Sequence, residues 1–286
     1  MTMKRLAWNR FSFSLSHPVQ LRGQWLDCRE GIYLELTDTY GHVRIGEAAP
    51  LPGFSQETVD DIEAELTRGS LNFKGFPSLQ FAYEWATLDF EKKSVRQPIQ
   101  TNALLMGPKT VEQFYRKKAQ GFTCFKLKVG FQMLQHDIDQ VKELVAHMAP
   151  QHTLRLDANQ AWTLSEAIDF GKRVAHPQID YIEEPTSCWE DWEHFYNETG
   201  IPLAVDETVV RIQAIPALFP GLKAVVLKPT LLGFLCAQTL AFEAIQMGLH
   251  PVISSCFETE VGLEGLRYLA STFPVQVPHG VTTCHW

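Results

Sequence analysis

The sequence predicts an α/β protein built as a (β/α)7β TIM-like barrel with an N-terminal α+β capping domain. Two features of the 286-residue chain predict this fold. Strand-like and helix-like runs alternate from about residue 100 onward, whereas the preceding part contains short strands followed by helices. We therefore expect a capping domain over residues 1–97 and a barrel domain over residues 98–286. An open doubly wound sheet is disfavoured because the sequence has no Gly-x-Gly-x-x-Gly fingerprint.

The predicted capping domain begins with three antiparallel strands and ends with two helices. The strand-like runs are residues 6–13, 32–36 and 43–45. Residues 49–53 break the chain with two prolines and a glycine, and Ser55 is the expected N-cap of a helix that ends near Leu66. A second helical run begins near Ser78 and places large apolar side chains on one face.

Eight strand-like runs make up the predicted barrel, and helical runs separate them. The strands are expected at residues 103–107, 125–129, 154–158, 180–184, 202–206, 224–228, 251–255 and 275–281. A barrel of this kind carries its chemistry at the C-terminal ends of its strands, where alternate side chains point inward. Ionisable residues at those ends are therefore the candidates for a functional site.

Composition excludes several classes of protein. The chain has 25 basic and 33 acidic residues, which give a net charge of −8, and it has no basic run, so nucleic acid and anionic membranes are disfavoured as partners. Its six cysteines are scattered without a Cys-x-x-Cys pair, which argues against structural zinc and against a disulfide scaffold. Without a long apolar run or a signal-peptide pattern, we expect a soluble, cytoplasmic enzyme that is a monomer or a small homo-oligomer.

Two lysines on the second predicted barrel strand are the first candidates for a site. Lys126 and Lys128 share the same parity along the strand, so both are expected to face the barrel interior if the intervening apolar residues pack against helices. The same alternation predicts that Arg155, Asp157 and Asn159 face inward together on the next strand.

The following strands end in two more acids and a further lysine. Asp157 follows Lys128 by 29 residues, Glu183 follows Asp157 by 26, Asp206 follows Glu183 by 23, and Lys228 follows Asp206 by 22. Each of these intervals is the length of one strand–helix unit. Taken singly, each of these residues fits a solvated strand end or a helix cap. Taken together, they predict that five successive strands present Lys, Asp, Glu, Asp and Lys to one cavity.

Three inward-facing carboxylates predict a site for a divalent cation. Carboxylates that meet in a partly dry cavity repel one another, and a hard cation such as Mg²⁺ relieves that repulsion through oxygen ligands. We therefore expect Asp157, Glu183 and Asp206 to bind Mg²⁺, with Mn²⁺ as a possible substitute. Zinc is disfavoured because neither His nor Cys occupies these positions.

The lysines predict proton chemistry next to that cation. Lys126 and Lys128 have Cα atoms ~6.6 Å apart on a strand, so their charges repel by ~2.5 kcal/mol at an effective dielectric constant of ~20. Such repulsion, together with burial and the cation, would lower the pKa of Lys128 toward the range of a general base. The expected chemistry is removal of a proton alpha to a carboxylate, with Lys228 acting from the opposite face.

These residues resemble the pattern of the enolase superfamily, and within it the muconate-lactonizing-enzyme subgroup. The family that the sequence resembles most is the o-succinylbenzoate synthases of menaquinone biosynthesis. The matching segments are LRGQWLDCREGIYL at 21–34, GEAAPLPGFSQET at 46–58, RLDAN at 155–159, IEEP at 182–185, VDE at 205–207 and LKP at 227–229. The resemblance implies dehydration of 2-succinyl-6-hydroxy-2,4-cyclohexadiene-1-carboxylate to o-succinylbenzoate.

The resemblance also implies a role for each candidate residue. Lys128 would remove the alpha proton and then protonate the departing hydroxyl, while Lys228 would stay protonated and stabilise the anion. Lys126 and Arg155 would tune the base and orient the carboxylate, and Asn159 would support the substrate or a metal ligand.

Three further sets of residues are assigned to the binding of substrate or metal. The hydroxyl or backbone N–H groups of Ser254 and Ser255 would bind the succinyl tail, although a serine-rich turn explains them equally well. Glu184, which follows a metal ligand, would support that ligand. The segment 22–29 would close over the site as a loop.

Three alternatives remain open at the level of the sequence. An N-succinylamino acid racemase would use Lys128 and Lys228 as acid and base on opposite faces of its substrate. A metal-free Schiff-base lyase would use Lys228 as a nucleophile, although it would not need the three acids. A non-catalytic barrel would retain the metal site and bind a partner protein.

Overall fold

The computed structural model describes residues 3–21, 24–69, 73–88 and 97–282. The strands are β1 (Met3–Leu21), β2 (Gln24–Asp38), β3 (Val43–Ala48), β4 (Asn102–Leu105), β5 (Cys124–Lys128), β6 (Thr153–Asp157), β7 (Ile179–Glu183), β8 (Leu203–Val205), β9 (Leu222–Leu227) and β10 (His250–Ile253). The helices are α1 (Val59–Thr67), α2 (Pro77–Thr87), α3 (Thr110–Ala119), α4 (Leu134–Ala146), α5 (Leu164–Val174), α6 (Trp192–Thr199), α7 (Glu207–Ile212), α8 (Pro229–Leu232), α9 (Phe234–Gln246) and α10 (Glu260–Ser271).

The N-terminal strands form an antiparallel sheet in the order β1-β2-β3. Alternate residues of β2, among them Ile32 and Leu34, are buried against Ile62 of α1 and Leu79 of α2. Gly31 allows β1 to approach closely, because a Cβ atom at this position would lie 2.5 Å from the ring of Phe11. The predicted antiparallel α+β region is therefore confirmed.

The first two strands are much longer than predicted. β2 begins at Gln24, so most of the segment 22–29 is part of a hairpin rather than the loop that we expected, and residues 22–23 lie outside the described residues. The pairing of Val19 with Leu26 and of Ser14 with Cys28 carries the hairpin past an irregularity between Ser14 and Val19. Pro18, Gly23 and Gly31 interrupt this segment in the sequence, and residues of these types usually mark the ends of strands.

The predicted N-cap of the first helix is wrong by three residues. Thr58, and not Ser55, caps α1, and it forms a capping box with Asp61. Ser55 instead accepts a hydrogen bond from the backbone N–H of Leu51 at 2.8 Å, which stabilises the turn before the helix. The second predicted helix is confirmed, since α2 begins at Pro77.

The second half of the chain forms a curled parallel sheet in the order β10-β9-β8-β7-β6-β5-β4, with helices between successive strands. The outward side chains of the strands pack against these helices in one large apolar core that includes Phe125, Leu127 and Leu156. The inward side chains of Tyr181 and Val252 belong to a separate interior cluster. The predicted α/β barrel is confirmed, and its seven regular strands bring their C-terminal ends to one rim.

The eighth predicted strand, at residues 275–281, is replaced in the described part of the chain by two isolated bridges. Thr101, next to β4, pairs with His279, and Ser254, next to β10, pairs with Gly280. His279 and Gly280 therefore join β4 to β10 and close the barrel, and we call this junction the barrel seam. Pro278 has no N–H group to donate to a ladder, which limits regular pairing here. The Nδ1 atom of His279 accepts a hydrogen bond from the backbone N–H of Ile253 at 3.0 Å, and this bond adds a side-chain tie to the seam.

A buried clasp joins the N-terminal sheet to the barrel. The carboxylate of Glu47, at the end of β3, accepts hydrogen bonds from Thr259 N at 2.9 Å and from Gly262 N at 2.9 Å, both at the start of α10. The guanidinium of Arg29 donates to the backbone oxygens of Pro50 and Cys256. The boundary at residue 97 stays a prediction, since residues 89–96 lie outside the described residues.

Candidate active site

Three carboxylates meet at the C-terminal rim of the barrel. Asp157 is the last residue of β6, Glu183 is the last residue of β7, and Asp206 follows β8 directly. One oxygen atom from each of the three side chains lies within 4.8 Å of the other two, and all three residues are buried. The barrel register causes this meeting, because Asp157 pairs with Glu183 across neighbouring strands.

Two lysines contact this cluster from the β5 side. The ammonium of Lys126 lies 2.7 Å from Asp157 Oδ2 and 2.6 Å from Glu183 Oε2. The ammonium of Lys128 also lies 2.7 Å from Asp157 Oδ2. Both lysines therefore face the barrel interior, as their parity predicted, while Leu127 between them packs outward.

A third lysine contacts the cluster from the opposite side. Lys228, which follows β9, places its ammonium 2.5 Å from Asp206 Oδ2. The same nitrogen lies 5.7 Å from the centre of the Phe54 ring, which belongs to the loop after β3. The cluster is thus flanked by amines on two sides, and the N-terminal region contributes an aromatic wall beside one of them.

Burial and charge act in opposite directions on the lysines. Burial lowers the pKa of Lys126, but the charges of Asp157 and Glu183 outweigh it and hold that pKa above its ordinary value. The pKa of Lys228 is likewise lowered by burial and raised further by Asp206, with a net increase. The repulsion predicted between Lys126 and Lys128 is screened, since one carboxylate oxygen lies between the two ammonium groups.

The three acids do not titrate alike. Burial, with the neighbouring acids, raises the pKa of Glu183 to about 8 against the attraction of Lys126. Burial also raises the pKa of Asp206 to about 6, with Lys228 opposing it. The pKa of Asp157 is instead depressed, because the charges of Lys126 and Lys128 outweigh the effect of burial.

The donor set fits a divalent cation. All three groups offer hard carboxylate oxygens, and Asp206 Oδ1 is buried without a hydrogen-bond partner among the described residues. A buried, unpartnered carboxylate oxygen is unfavourable unless a cation or another donor satisfies it. Asp157, Glu183 and Asp206 are therefore the residues that would hold such an ion.

Glu184 supports this cluster from below, as predicted for a residue that follows a ligand. Its Oε1 atom accepts hydrogen bonds from the backbone N–H groups of Asp206 and Thr208, both at 2.7 Å. These bonds fix the turn at which Asp206 leaves β8. Burial, and then the charge of Glu207, raise the pKa of Glu184 to about 7.

Arg155 lies deeper in the barrel than the cluster and away from it. Its Nε atom donates to Asp180 Oδ2 at 2.9 Å, and its Nη1 atom donates to the carbonyl oxygen of Pro278 at 2.6 Å. The guanidinium also lies over the ring of Tyr181, 4.8 Å from its centre. These contacts occupy a side chain that is only 2% exposed. The expectation that Arg155 orients a substrate carboxylate is therefore wrong, and its role is structural.

The remaining candidates lie at the rim. Asn159 accepts a hydrogen bond from Lys128 at 2.5 Å, so the structure brings it into the site. The backbone N–H groups of Ser254 and Ser255 donate to Leu227 O and Gly280 O, both at 2.9 Å, and are therefore not available to a substrate tail. That part of the prediction is wrong, because the N–H of Ser254 pairs with the end of β9 and the N–H of Ser255 pairs with Gly280 where the barrel closes. Substrate contact by the serine hydroxyls stays a prediction.

Sequence reasoning missed two residues beside the site. Glu207 accepts a hydrogen bond from Asn159 Nδ2 at 2.7 Å, although the sequence analysis gave it no role. Phe54 contacts Lys228 from the N-terminal region, and the conspicuous Pro-Leu-Pro-Gly-Phe segment was the available signal. A loop that reaches from another sheet into the barrel rim cannot be placed by strand parity alone.

Two family models match the chain along most of its length. The model described as "Enolase C-terminal domain-like" matches residues 109–280, which is more than half of the chain. The chain belongs to the enolase superfamily. The model described as "MenC, N-terminal domain" matches residues 3–89, so this superfamily member is of the MenC type.

Curated relatives of this enolase-superfamily chain are o-succinylbenzoate synthases. The enzyme of Pectobacterium atrosepticum is 33% identical over 294 residues, with 98% of this chain and 90% of the relative covered. The enzyme of Yersinia enterocolitica is 33% identical over 290 residues, with 96% and 89% covered. These relatives identify the chain as an enolase-superfamily enzyme.

Solved structures share the fold of this superfamily member. An o-succinylbenzoate synthase of Thermosynechococcus elongatus, complexed with Mg in its active site, has a TM-score of 0.78 at 26% identity, with 97% of this chain and 92% of that chain covered. A dipeptide epimerase of Enterococcus faecalis, complexed with Mg and a dipeptide, has a TM-score of 0.84 at 19% identity, with 98% and 90% covered. The buried carboxylates of the present chain form a divalent-metal site of the superfamily type.

Proposed function

We propose that this enzyme is an o-succinylbenzoate synthase, which dehydrates 2-succinyl-6-hydroxy-2,4-cyclohexadiene-1-carboxylate to o-succinylbenzoate. The observation that carries the proposal is the placement of amines on two sides of the three-carboxylate cluster. A proton acceptor on one side and a fixed positive charge on the other suit removal of an alpha proton. The relatives at 33% identity and the MenC-type N-terminal region support this substrate.

The proposed base is Lys128. Its amine would take the proton alpha to the ring carboxylate, and the same nitrogen would return that proton to the departing hydroxyl, which leaves as water. Lys128 is the least buried of the three lysines of the site, with a side chain that is 19% exposed, so it can face a substrate in the rim. The reaction needs no oxidant, because loss of water alone makes the ring aromatic.

Lys228 and Lys126 would act without transferring the proton. Lys228 remains an ammonium, since Asp206 raises its pKa, and it would stabilise the negative charge that develops on the substrate. Lys126 contacts two of the acids and would hold them in place. Asp157, Glu183 and Asp206 would hold Mg²⁺, which supplies positive charge for the substrate carboxylate when bound.

The direct test is conversion of the cyclohexadiene acid by the purified protein with Mg²⁺, followed as loss of diene absorbance. We expect turnover that EDTA abolishes and that Mn²⁺ partly supports. Failure to convert this acid at any Mg²⁺ concentration would refute the proposal.

The same preparation distinguishes the two catalytic alternatives. Faster racemisation of an N-succinylamino acid would favour the racemase, for which the opposed positions of Lys128 and Lys228 are equally suitable. Activity that survives EDTA, with a borohydride-trapped adduct on Lys228, would favour a Schiff-base lyase. The three-carboxylate cluster argues against that lyase, because formation of an imine on Lys228 needs none of these acids.

We further propose that the enzyme acts in the cytoplasm, in menaquinone biosynthesis, on a small carboxylate and as a monomer or small homo-oligomer. None of the described helices is long and apolar enough to cross a membrane.

A further inference from the structure

We propose that Glu207 is a positioning residue for Lys128 and acts through the side-chain amide of Asn159. The inference rests on the proposed function, in which Lys128 is the base. In the described part of the chain, the side chain of Glu207 forms no hydrogen bond with Asp157, Glu183 or Asp206. We call Lys128, Asn159 and Glu207 together the Lys128–Asn159–Glu207 relay.

The relay is a continuous chain of short hydrogen bonds. Lys128 Nζ donates to Asn159 Oδ1 at 2.5 Å, and Asn159 Nδ2 donates to Glu207 Oε1 at 2.7 Å. The backbone of Asn159 is tied to the cluster as well, because its N–H donates to Asp157 Oδ1 at 3.2 Å. Glu207 thus reaches Lys128 through one intervening residue from a different strand–helix unit.

Glu207 decides which end of the Asn159 amide faces Lys128. The NH₂ group of Asn159 faces Glu207, because it donates to the carboxylate oxygen Oε1. The carbonyl oxygen of the amide is then left to face the ammonium of Lys128, which can only donate. The opposite amide orientation would place two donors together at one end and two acceptors together at the other.

No structural role of the Glu207 side chain explains its position as well as the contact with Asn159 does. Glu207 is the first residue of α7, but the N–H of Thr208 donates to Glu184 rather than to Glu207. The second carboxylate oxygen, Oε2, is buried without a hydrogen-bond partner among the described residues. Its charge acts on Lys228, Asp206 and Glu184, but its described hydrogen bond is the one to Asn159, and this bond is what links it to Lys128.

The backbone at Asn159 narrows the choice of test substitutions. Asn159 has a φ of 46°, in the left-handed region that Asn and Asp tolerate better than other non-glycine residues. Asn159→Asp is therefore compatible with the backbone, but it places one carboxylate against another at Glu207. Glu207→Gln supplies a donor that an Asp at 159 can accept, and the double variant N159D/E207Q keeps the net charge of the wild type.

The test is a reciprocal exchange of the two groups. We expect N159D to lower kcat by roughly a hundredfold and E207Q by only a few fold, since Gln can still accept from Asn159. The double variant should recover to within roughly tenfold of the wild type. E207L, which can neither accept nor donate, should lower kcat by roughly tenfold with KM nearly unchanged. A double variant no better than N159D, or an E207L enzyme with wild-type kcat, would overturn the proposal.

A second measurement separates this inference from the proposed function. Carbamylation of Lys128 by cyanate, quantified by peptide mass spectrometry, reports on the held amine without any turnover. We expect the rate to rise a few fold in E207L and to stay near the wild-type rate in E207Q, in which Gln can still accept from Asn159. If the wild type does not dehydrate the cyclohexadiene acid, the proposed function fails, and these rates still decide whether the relay holds Lys128. Unchanged rates in E207L would refute the relay.

Discussion

At the scale of single residues, the site is a balance of like and unlike charges in a buried volume. Asp157 is held ionised by Lys126 and Lys128, whereas burial pushes Glu183 and Asp206 toward their protonated forms. Such a difference among neighbouring acids is typical of a site that meets a further charge during its function. The lysines are not interchangeable, because each contacts a different set of oxygens.

We predict that Lys128→Ala abolishes dehydration, with a loss of at least roughly 10³-fold in kcat, because no other amine of the site contacts Asn159 and the rim in the same way. Lys228→Ala should also lose activity but retain its far-ultraviolet circular dichroism and cooperative unfolding. The matched control is Lys142→Ala, at an exposed position on α4, which should keep full activity. Substantial turnover by Lys128→Ala would remove that residue from the mechanism.

Strand parity made most of these residues predictable. Lys126, Lys128 and Asp157 face inward because alternate residues of a strand share a face, and this rule needs only the sequence. Arg155 obeys the same rule, but parity does not show how deep in the barrel a side chain lies. The guanidinium of Arg155 lies in the interior, where it donates to Asp180 and to the carbonyl oxygen of Pro278. Glu207 was not predictable because its contact depends on a left-handed turn at Asn159.

At the scale of secondary-structure elements, the contact between the start of α10 and the N-terminal sheet joins the two parts of the molecule. Three donors at the start of this helix, Thr259 N, Thr259 Oγ1 and Gly262 N, converge on the carboxylate of Glu47. A carboxylate is favoured at a helix N-terminus by the free N–H groups there. The clasp therefore uses helix geometry to fix the position of the loop that carries Phe54.

We predict that Thr259→Val lowers the free energy of unfolding by about 1–2 kcal/mol, since it removes a buried hydroxyl donor to Glu47 and an acceptor for Tyr33. Thr259→Ser keeps the hydroxyl and should retain most of the stability. Thr239→Val, at an exposed position on α9, is the control for loss of a threonine hydroxyl. Urea unfolding measures the difference, and a Val variant as stable as the wild type would show that the hydroxyl of Thr259 contributes no stability to the clasp.

Elements with strong apolar periodicity were predictable, and those defined by pairing were not. The helices of the barrel and the buried strands carry a clear pattern in the sequence. The β1–β2 hairpin extends through polar residues because the two strands pair their backbone N–H and C=O groups with each other. The periodicity of a single strand gives no sign of this pairing. For the same reason the barrel seam at His279 and Gly280 is visible only in three dimensions.

At the scale of the whole molecule, a bound cation should stabilise the fold. The three buried carboxylates repel one another, and an ion that binds only the folded state adds to its stability by mass action. We predict that millimolar Mg²⁺ raises the Tm of the wild type and that Asp206→Asn loses most of this increase. Differential scanning calorimetry with Mg²⁺ and with EDTA measures it, with Na⁺ at equal ionic strength as the control. No change in Tm with Mg²⁺ would contradict the metal site.

The seam residue His279 should make the stability depend on pH. Burial, and then the charge of Arg155, lower its pKa from 6.5 to about 3. Between these values the unfolded chain binds a proton that the folded chain does not, so the contribution of His279 to stability falls as pH falls from 6.5 toward 3. The contribution of this residue has a slope of at most ~1.4 kcal/mol per pH unit.

We expect His279→Asn to flatten this part of the pH dependence, because Asn can still accept from Ile253 N but does not titrate. The exposed His194→Asn is the control and should leave the slope as it is. Guanidinium unfolding between pH 5 and pH 7 measures the slopes. Equal slopes for His279→Asn and the wild type would show that another group causes the acid sensitivity.

The clasp has a consequence for the order of events during biosynthesis. Glu47 and Thr259 are separated by 212 residues, so a ribosome delivers the partner of Glu47 long after the N-terminal sheet has emerged. At roughly 5–20 residues per second, the delay is about 10–40 s. Throughout that interval the carboxylate of Glu47 is exposed to water or to any other molecule that binds the nascent sheet. The time available for an encounter with a chaperone is therefore set by translation rate, and slower codons in the barrel would lengthen it.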